Sequence, residues 1–339
     1  MSLVAAGCGS DNSSTSSSTP AASASTSTAA KPAGPAIKVG LVTDIGGLND
    51  RSFNSLANKG LEDAKSKLGI TGRVLTSKSN SDYVPNLSTL AQQKYDLVIG
   101  VGFLMADAMG KVASKYPNTK FAIIDVDATG LKGKPTNVEG LLFKEQEGGY
   151  LAGYLAGLYA KDNKITTVSS VGGQKIPPVD HYIAGYQAGA KAAYPQVKTL
   201  NGYSQDFVAQ SKCKELALAQ IGQGSGVVFQ VAGQCGLGAL DAAKEKGKLG
   251  IGVDADQAYL GSQILTSATK KVDVAVYDTV ASVQKNAFKG GTNNVFDLKT
   301  NGVGVGKISA DGSKYQAQID KVTKDIIAGT VTVPDTVGK

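Results

Sequence analysis

From Ile37 onward the chain repeats one unit, a short apolar run followed by a stretch with apolar residues every three or four positions. Runs at 37–43, 97–101, 121–126, 138–143, 165–171, 226–232, 249–253 and 264–268 read as strands. Helical spacing fills the intervals at 55–67, 105–115, 146–160, 182–193, 211–221, 238–246 and 274–288. Strands that alternate with helices cannot pair as hairpins. They return through crossovers, which gives an α/β fold of parallel sheets covered by helices on both faces.

The βα series breaks near 143–147, and 339 residues suffice for two domains. Lobe 1 is expected to comprise 37–143 plus about 259–290. Lobe 2 takes 144–258 plus about 291–339, including a Gly-rich strand at 303–308 and a helix at 314–328. Two such lobes, with the chain crossing between them more than once, match the two-lobed periplasmic-binding (type I) plan, with a ligand cleft between the lobes. In open α/β sheets that cleft faces the carboxyl ends of the strands.

The first such end carries Asp44-Ile-Gly-Gly-Leu-Asn-Asp-Arg-Ser-Phe53-Asn54. Two glycines allow a tight turn, and Asn49, Asp50 and Ser52 are candidate caps for the helix that follows. A carboxylate beside an aromatic ring suits a flat heterocycle bearing N–H groups, such as a nucleobase. An ordinary strand–turn–helix connection with a solvated Asp44 would read the same way.

Charge and residue usage narrow the chemistry. The net charge of +7 comes almost wholly from lysine, since Arg51 and Arg73 are the only arginines. Base readers and phosphate clamps favour the planar guanidinium fork, so no nucleic-acid partner is expected. His181 is the only histidine, which excludes a His-rich metal site and leaves one residue through which any His-dependent triad must pass. It reads as a residue at a helix start. No catalytic residues, metal site or cofactor are expected, and the protein reads as a monomer rather than an enzyme.

Ala5-Ala-Gly-Cys8 resembles a bacterial lipobox, with Ala5 where leucine is commoner. The charged and apolar parts of a signal peptide do not precede it, which reads as a start inside a longer precursor. A Ser/Thr/Ala tract with prolines follows, so residues 1–36 are expected to be a lipobox remnant and a disordered tether. Lipidation at Cys8 would place the protein on the extracytoplasmic face of a cell membrane. The sequence contains no apolar run long enough to span a bilayer.

Six segments in order resemble the basic membrane protein family of ABC-transporter substrate-binding lipoproteins, and within it the purine nucleoside receptors. They are the Asp44–Asn54 segment, Phe143-Lys-Glu-Gln-Glu-Gly-Gly-Tyr-Leu-Ala-Gly-Tyr154, Gly172-Gly-Gln-Lys-Ile-Pro-Pro178, the stretch from Val227 to Gly236, Gly252-Val-Asp-Ala-Asp256 and the stretch from Leu265 to Asp273. The resemblance implies an ABC permease as partner and a nucleoside held between two rings, here Phe53 and Phe207. It assigns Asp44 to base N–H groups, Asp254 to ribose hydroxyls and Lys270 to a neighbouring position. Asn54, Asp125 and Gly233 complete the ligand-binding set. Ala209 replaces an aspartate usual after the second ring, and Val-Asp180-His181 and Gln234-Cys235 also depart from the pattern. These departures leave another small nutrient or a signal molecule as the alternative ligand.

Two further readings compete. Gly233-Gln-Cys-Gly236-Leu-Gly238 follows a strand, but its order is wrong for a dinucleotide fingerprint. A regulator on the same fold needs a helix-turn-helix where the Ser/Thr tract stands. Finally, Cys213 falls early in one predicted helix and Cys235 just past the next strand. In a right-handed crossover these lie at the same end of the sheet, so a disulfide between them is expected.

Overall fold

The structure is a computed structural model that describes residues 34–338. Its first lobe is built on β1 (Lys38–Val42), β2 (Thr71–Leu75), β3 (Leu97–Gly100), β4 (Lys120–Ile124) and β5 (Val138–Phe143), with α1 (Phe53–Leu68), α2 (Tyr83–Gln92) and α3 (Ala106–Lys115) between them. The second lobe follows with α4 (Glu145–Asp162), β6 (Thr167–Gly172), α5 (Pro177–Ala193), β7 (Lys198–Tyr203), α6 (Gln210–Gly222), β8 (Ser225–Val231), α7 (Gly233–Glu245), β9 (Leu249–Asp254) and β10 (Ile264–Lys270). The chain then returns through α8 (Val272–Gln284) and β11 (Asn293–Phe296), and crosses again to β12 (Val303–Val305) and α9 (Gln316–Ile327).

Two six-stranded sheets result, ordered β11-β5-β4-β3-β1-β2 and β12-β10-β9-β8-β6-β7. All pairings are parallel except β12 against β10. Leu97, Val98 and Ile99 of β3 are all fully buried, as a parallel strand covered on both faces requires.

The expected lobe boundaries need correction. Residues 259–290 are not one lobe-1 segment, because β10 pairs in register with β9 in the second sheet and only α8, packed on α1, belongs to the first lobe. Nor does 291 onward belong wholly to lobe 2, since β11 pairs with β5 at the edge of the first sheet. An apolar strand looks the same in either sheet, and its partner is set by the crossover rather than by its own residues.

The second lobe is pinned to its first helix by close packing. Gly149, Gly153 and Gly157 recur every fourth position on α4 and face the backbone carbonyls of Tyr182, Tyr186 and Ala190 on α5. A Cβ at any of them would drive the helices apart. Since α4 leaves directly from β5, this contact fixes the second lobe at the point where the chain first crosses.

Candidate functional site

Beyond β1 the chain turns through Gly46 and Gly47, both at positive φ. Asp50 then closes the open end of α1, accepting from the amides of Ser52 (3.1 Å), Asn54 (2.6 Å) and Ser55 (3.0 Å). Of the three candidate caps, Asp50 does the capping. Ser52 is thereby released for another partner in the opposite lobe: its Oγ lies 2.8 Å from Asp254 Oδ2 and 3.1 Å from the Val253 carbonyl. Gln257 Nε2 adds a second bond between the lobes, donating to the Arg51 carbonyl at 3.2 Å.

Asp44 is held rigidly. Its amide donates to Asn54 Oδ1 at 2.8 Å, while Oδ1 accepts from the Ile45 amide and the Tyr83 hydroxyl. Oδ2 faces Gly102, where a Cβ would stand 2.5 Å from that oxygen and 3.3 Å from the Phe53 ring. Gly102 also sits at φ +105°, so glycine is required there on both counts. Burial pushes the Asp44 carboxyl up to about 6, against the opposing hydrogen bonds from Tyr83 and Ile45.

Two further carboxylates end strands in matching fashion. Asp125 follows β4 with φ +68°, and Asp254 closes β9 with φ +59°. Non-glycine residues adopt this region at a cost, and such positions concentrate at ligand sites. Between them stands Lys270, the last residue of β10 and only 2% exposed. Its Nζ donates to Asp125 Oδ1 (2.6 Å) and to Glu145 Oε1 (2.9 Å), and lies 5.1 Å from the Phe53 ring centre and 4.8 Å from that of Phe143. Its neighbour Lys271 stands outside, at the start of α8.

Three carboxylates around one ammonium cannot all hold full charge cheaply. Burial would lower Lys270, but Asp125, Glu145 and Asp254 outweigh it and raise it. Burial likewise opposes ionisation of Glu145, yet Lys270 and His181 hold it below its usual range. Asp125 and Asp254 lack the second cation, and burial pushes both up. His181, early in α5, lies 3.1 Å from Glu145 Oε2 through Nδ1. Burial works against its charge, but the bond to Glu145 raises its pKa.

The second ring comes from the loop before α6. Phe207 lies against Gly173 and Gly233, and its carbonyl accepts from the Cys235 amide at 3.0 Å. Asp206 secures the loop by accepting from Val208, Ala209 and Lys212. Lys212 first, and then these amides, draw its carboxyl down to about 2. Cys213 of α6 and Cys235 of α7 are joined by a disulfide, with Cα atoms 5.6 Å apart.

All eight residues named from the sequence, Asp44, Phe53, Asn54, Asp125, Phe207, Gly233, Asp254 and Lys270, line one cavity between the lobes. It encloses about 620 Å³ of unfilled space, part of it open to solvent. Ile176, Pro178, Val179 and Tyr182 supply an apolar wall. Sequence reasoning missed Ser52, Tyr83, Glu145 and Tyr182. Glu145 already stood in a quoted motif, but its role depends on Lys270 arriving from more than a hundred residues away. Cys8 lies outside the described residues. Among those residues, no helix is long and apolar enough to cross a membrane, and no group of three or more His, Cys, Asp or Glu side chains is set to hold a metal ion.

Residues 37–337 match the Bmp family, described as PnrA-like ABC transporter substrate-binding proteins. The chain belongs to this family. It is 35% identical over 320 residues to the ABC transporter nucleoside-binding protein BmpA of Lactococcus lactis, covering 88% of this chain and 89% of that one. It is 39% identical over 300 residues to an uncharacterized lipoprotein of Pyrococcus horikoshii, covering 85% and 73%. Among solved structures, an ABC transporter solute-binding protein from Aeropyrum pernix K1 superposes with a TM-score of 0.80 at 27% identity, over 88% of this chain and 94% of that one. This is therefore an ABC transporter substrate-binding protein of the Bmp family, on the two-lobed periplasmic-binding fold. Proteins of this class bind small solutes and work with a membrane permease.

Proposed function

We propose that the protein is the lipid-anchored receptor of an ABC importer and that it takes a purine nucleoside between its lobes. The observation that carries this reading is the meeting of Phe53 and Phe207, one from each lobe, with Asp44 and Asp254 around one cavity. A base between two rings gains roughly 1–3 kcal/mol per stack. Asp44 Oδ2 is the acceptor for base N–H groups, and Asp254 takes ribose hydroxyls. Lys270 spends two of its three donors on Asp125 and Glu145, so its charge is already matched. A surplus of carboxylates favours an uncharged solute over a nucleotide. The relative named as a nucleoside-binding protein supports the ligand class, and the relatives named lipoproteins support anchoring through Cys8.

Calorimetry with guanosine, inosine, adenosine and cytidine should find the purine nucleosides bound, and guanosine monophosphate weaker by about tenfold or more. Phe53→Ala and Phe207→Ala should each weaken purine nucleosides by about tenfold, or about 1.4 kcal/mol. Asp254→Ala should cost a nucleoside more than the matching free base. Failure of every nucleoside to bind, with another small molecule found bound by native mass spectrometry, would overturn the ligand assignment. Free release of the precursor from its host, instead of detergent partition lost on Cys8→Ala, would overturn the anchor.

A further inference from the structure

Helix α5 starts at the wall of the cavity, where Ile176, Pro178, Val179 and Tyr182 line it. A helix start ordinarily exposes unpaired amides, which makes it a place for anions and other acceptors. Here the first two amides are missing, because Pro177 and Pro178 open the helix. The next two, of Val179 and Asp180, both donate to the Ile176 carbonyl, at 3.1 and 3.0 Å. The polar side chains that follow are engaged elsewhere. Asp180 accepts from the Tyr203 hydroxyl and His181 meets Glu145, and neither lines the cavity. Tyr182 does line it, but its hydroxyl lies 3.3 Å from Asp254 Oδ1. What α5 offers a solute is therefore the hydrocarbon of Ile176, Pro178 and Val179, at a place where helices usually offer donors.

We infer that this wall is a subsite for an uncharged, apolar group on the 5′ carbon of the nucleoside, and that Pro178 and Val179 set that specificity. The inference rests on the nucleoside reading above. With the base between Phe53 and Phe207 and the ribose diol on Asp254, the 5′ carbon leaves the sugar on the face opposite the diol. Val179 stands one turn before Tyr182, whose hydroxyl reaches Asp254, so the wall begins where the site for the diol ends. A 5′ hydroxyl set against it gives up water and finds no partner. Hydrogen or a thioether at the same carbon buries apolar surface there instead. The ligand class named by this chemistry is the 5′-deoxy and 5′-alkylthio purine nucleosides.

The test is calorimetry on the full chain with adenosine and guanosine, each against its 5′-deoxy, 5′-methylthio and 2′-deoxy analogues. The 5′-deoxy analogue should bind at least as tightly as its parent, and the 5′-methylthio analogue about tenfold tighter. The 2′-deoxy analogue, which loses a contact to a carboxylate, should bind about tenfold more weakly. Val179→Thr puts a hydroxyl on the wall and should lower the ratio of 5′-methylthio to parent affinity by about tenfold. Pro178→Ala returns an amide to the helix start and should shift the same ratio toward the parent by about threefold. A 5′-methylthio analogue no tighter than its parent, or a ratio unmoved by both substitutions, would overturn the subsite and leave the nucleoside assignment standing. Failure of both nucleosides and all their analogues to bind would overturn the assignment and the subsite together.

Discussion

Opening the Cys213–Cys235 bond removes a closed loop spanning 22 positions in the second lobe. On the chain-entropy model a loop of that length stabilises by roughly 3 kcal/mol. Unfolding entropy of about 2 cal/mol/K per residue converts this to a melting shift of about 5 °C if the lobes melt together, and roughly twice that if the second melts alone. Both cysteines are fully buried, so serine substitutions would add the cost of burying two hydroxyls. The clean comparison is oxidised against reduced wild type by scanning calorimetry, with thiol titration to establish the redox state. Cys213→Ala/Cys235→Ala serves as the second arm. The bond also reaches the ligand site, because the Cys235 amide holds the Phe207 carbonyl at 3.0 Å. Reduction should therefore weaken nucleoside binding as well as stability. A melting temperature that moves less than about 1 °C on complete reduction would refute the loop-entropy argument for this lobe.

Three other outcomes follow. Asp44 must be ionised to accept base N–H groups, and burial holds its carboxyl at about 6, so nucleoside affinity should fall about tenfold from pH 7 to pH 5. Asp44→Asn should bind weakly with no such slope, and a flat wild-type profile would remove Asp44 from base recognition. His181 has a raised folded pKa, so its bond to Glu145 stabilises fully below the unfolded value of 6.5 and fades as pH rises through the folded value. His181→Gln should accordingly melt earlier than wild type below about pH 6.5, with the difference shrinking as the pH rises through the folded pKa of His181. Gly102→Ala places a methyl 2.5 Å from Asp44 Oδ2, and should abolish nucleoside binding by calorimetry.

The central strands were legible because a parallel strand buried on both faces is a continuous apolar run, as in Leu97–Gly100. Edge strands lack that signature. Thr71–Leu75 and Lys198–Tyr203 contain no fully buried residue, Asn293–Phe296 buries only Phe296, and all three escaped notice. Helix Tyr83–Gln92 was hidden by Pro85, which its first turn tolerates because the missing amide has no partner there anyway. Residues at strand ends, such as Asp125 and Asp254, could be named from the sequence because topology alone brings them toward the cleft. Ser52, Tyr83 and Tyr182 could not, since each acts on a carboxylate supplied by a distant segment.

The Ser52–Asp254 bond gives unloading a particular kinetics. On the proposed reading, the carboxylate that receives the sugar is the same one that latches the lobes together. On that reading, parting of the lobes to release a solute must also break this bond, so the latch adds to the barrier set by the solute's own contacts. A permease that draws Ser52 aside would lower the barrier to escape and disturb a principal acceptor in the same motion. Transfer would then be triggered at the membrane, while spontaneous loss in free solution stays slow.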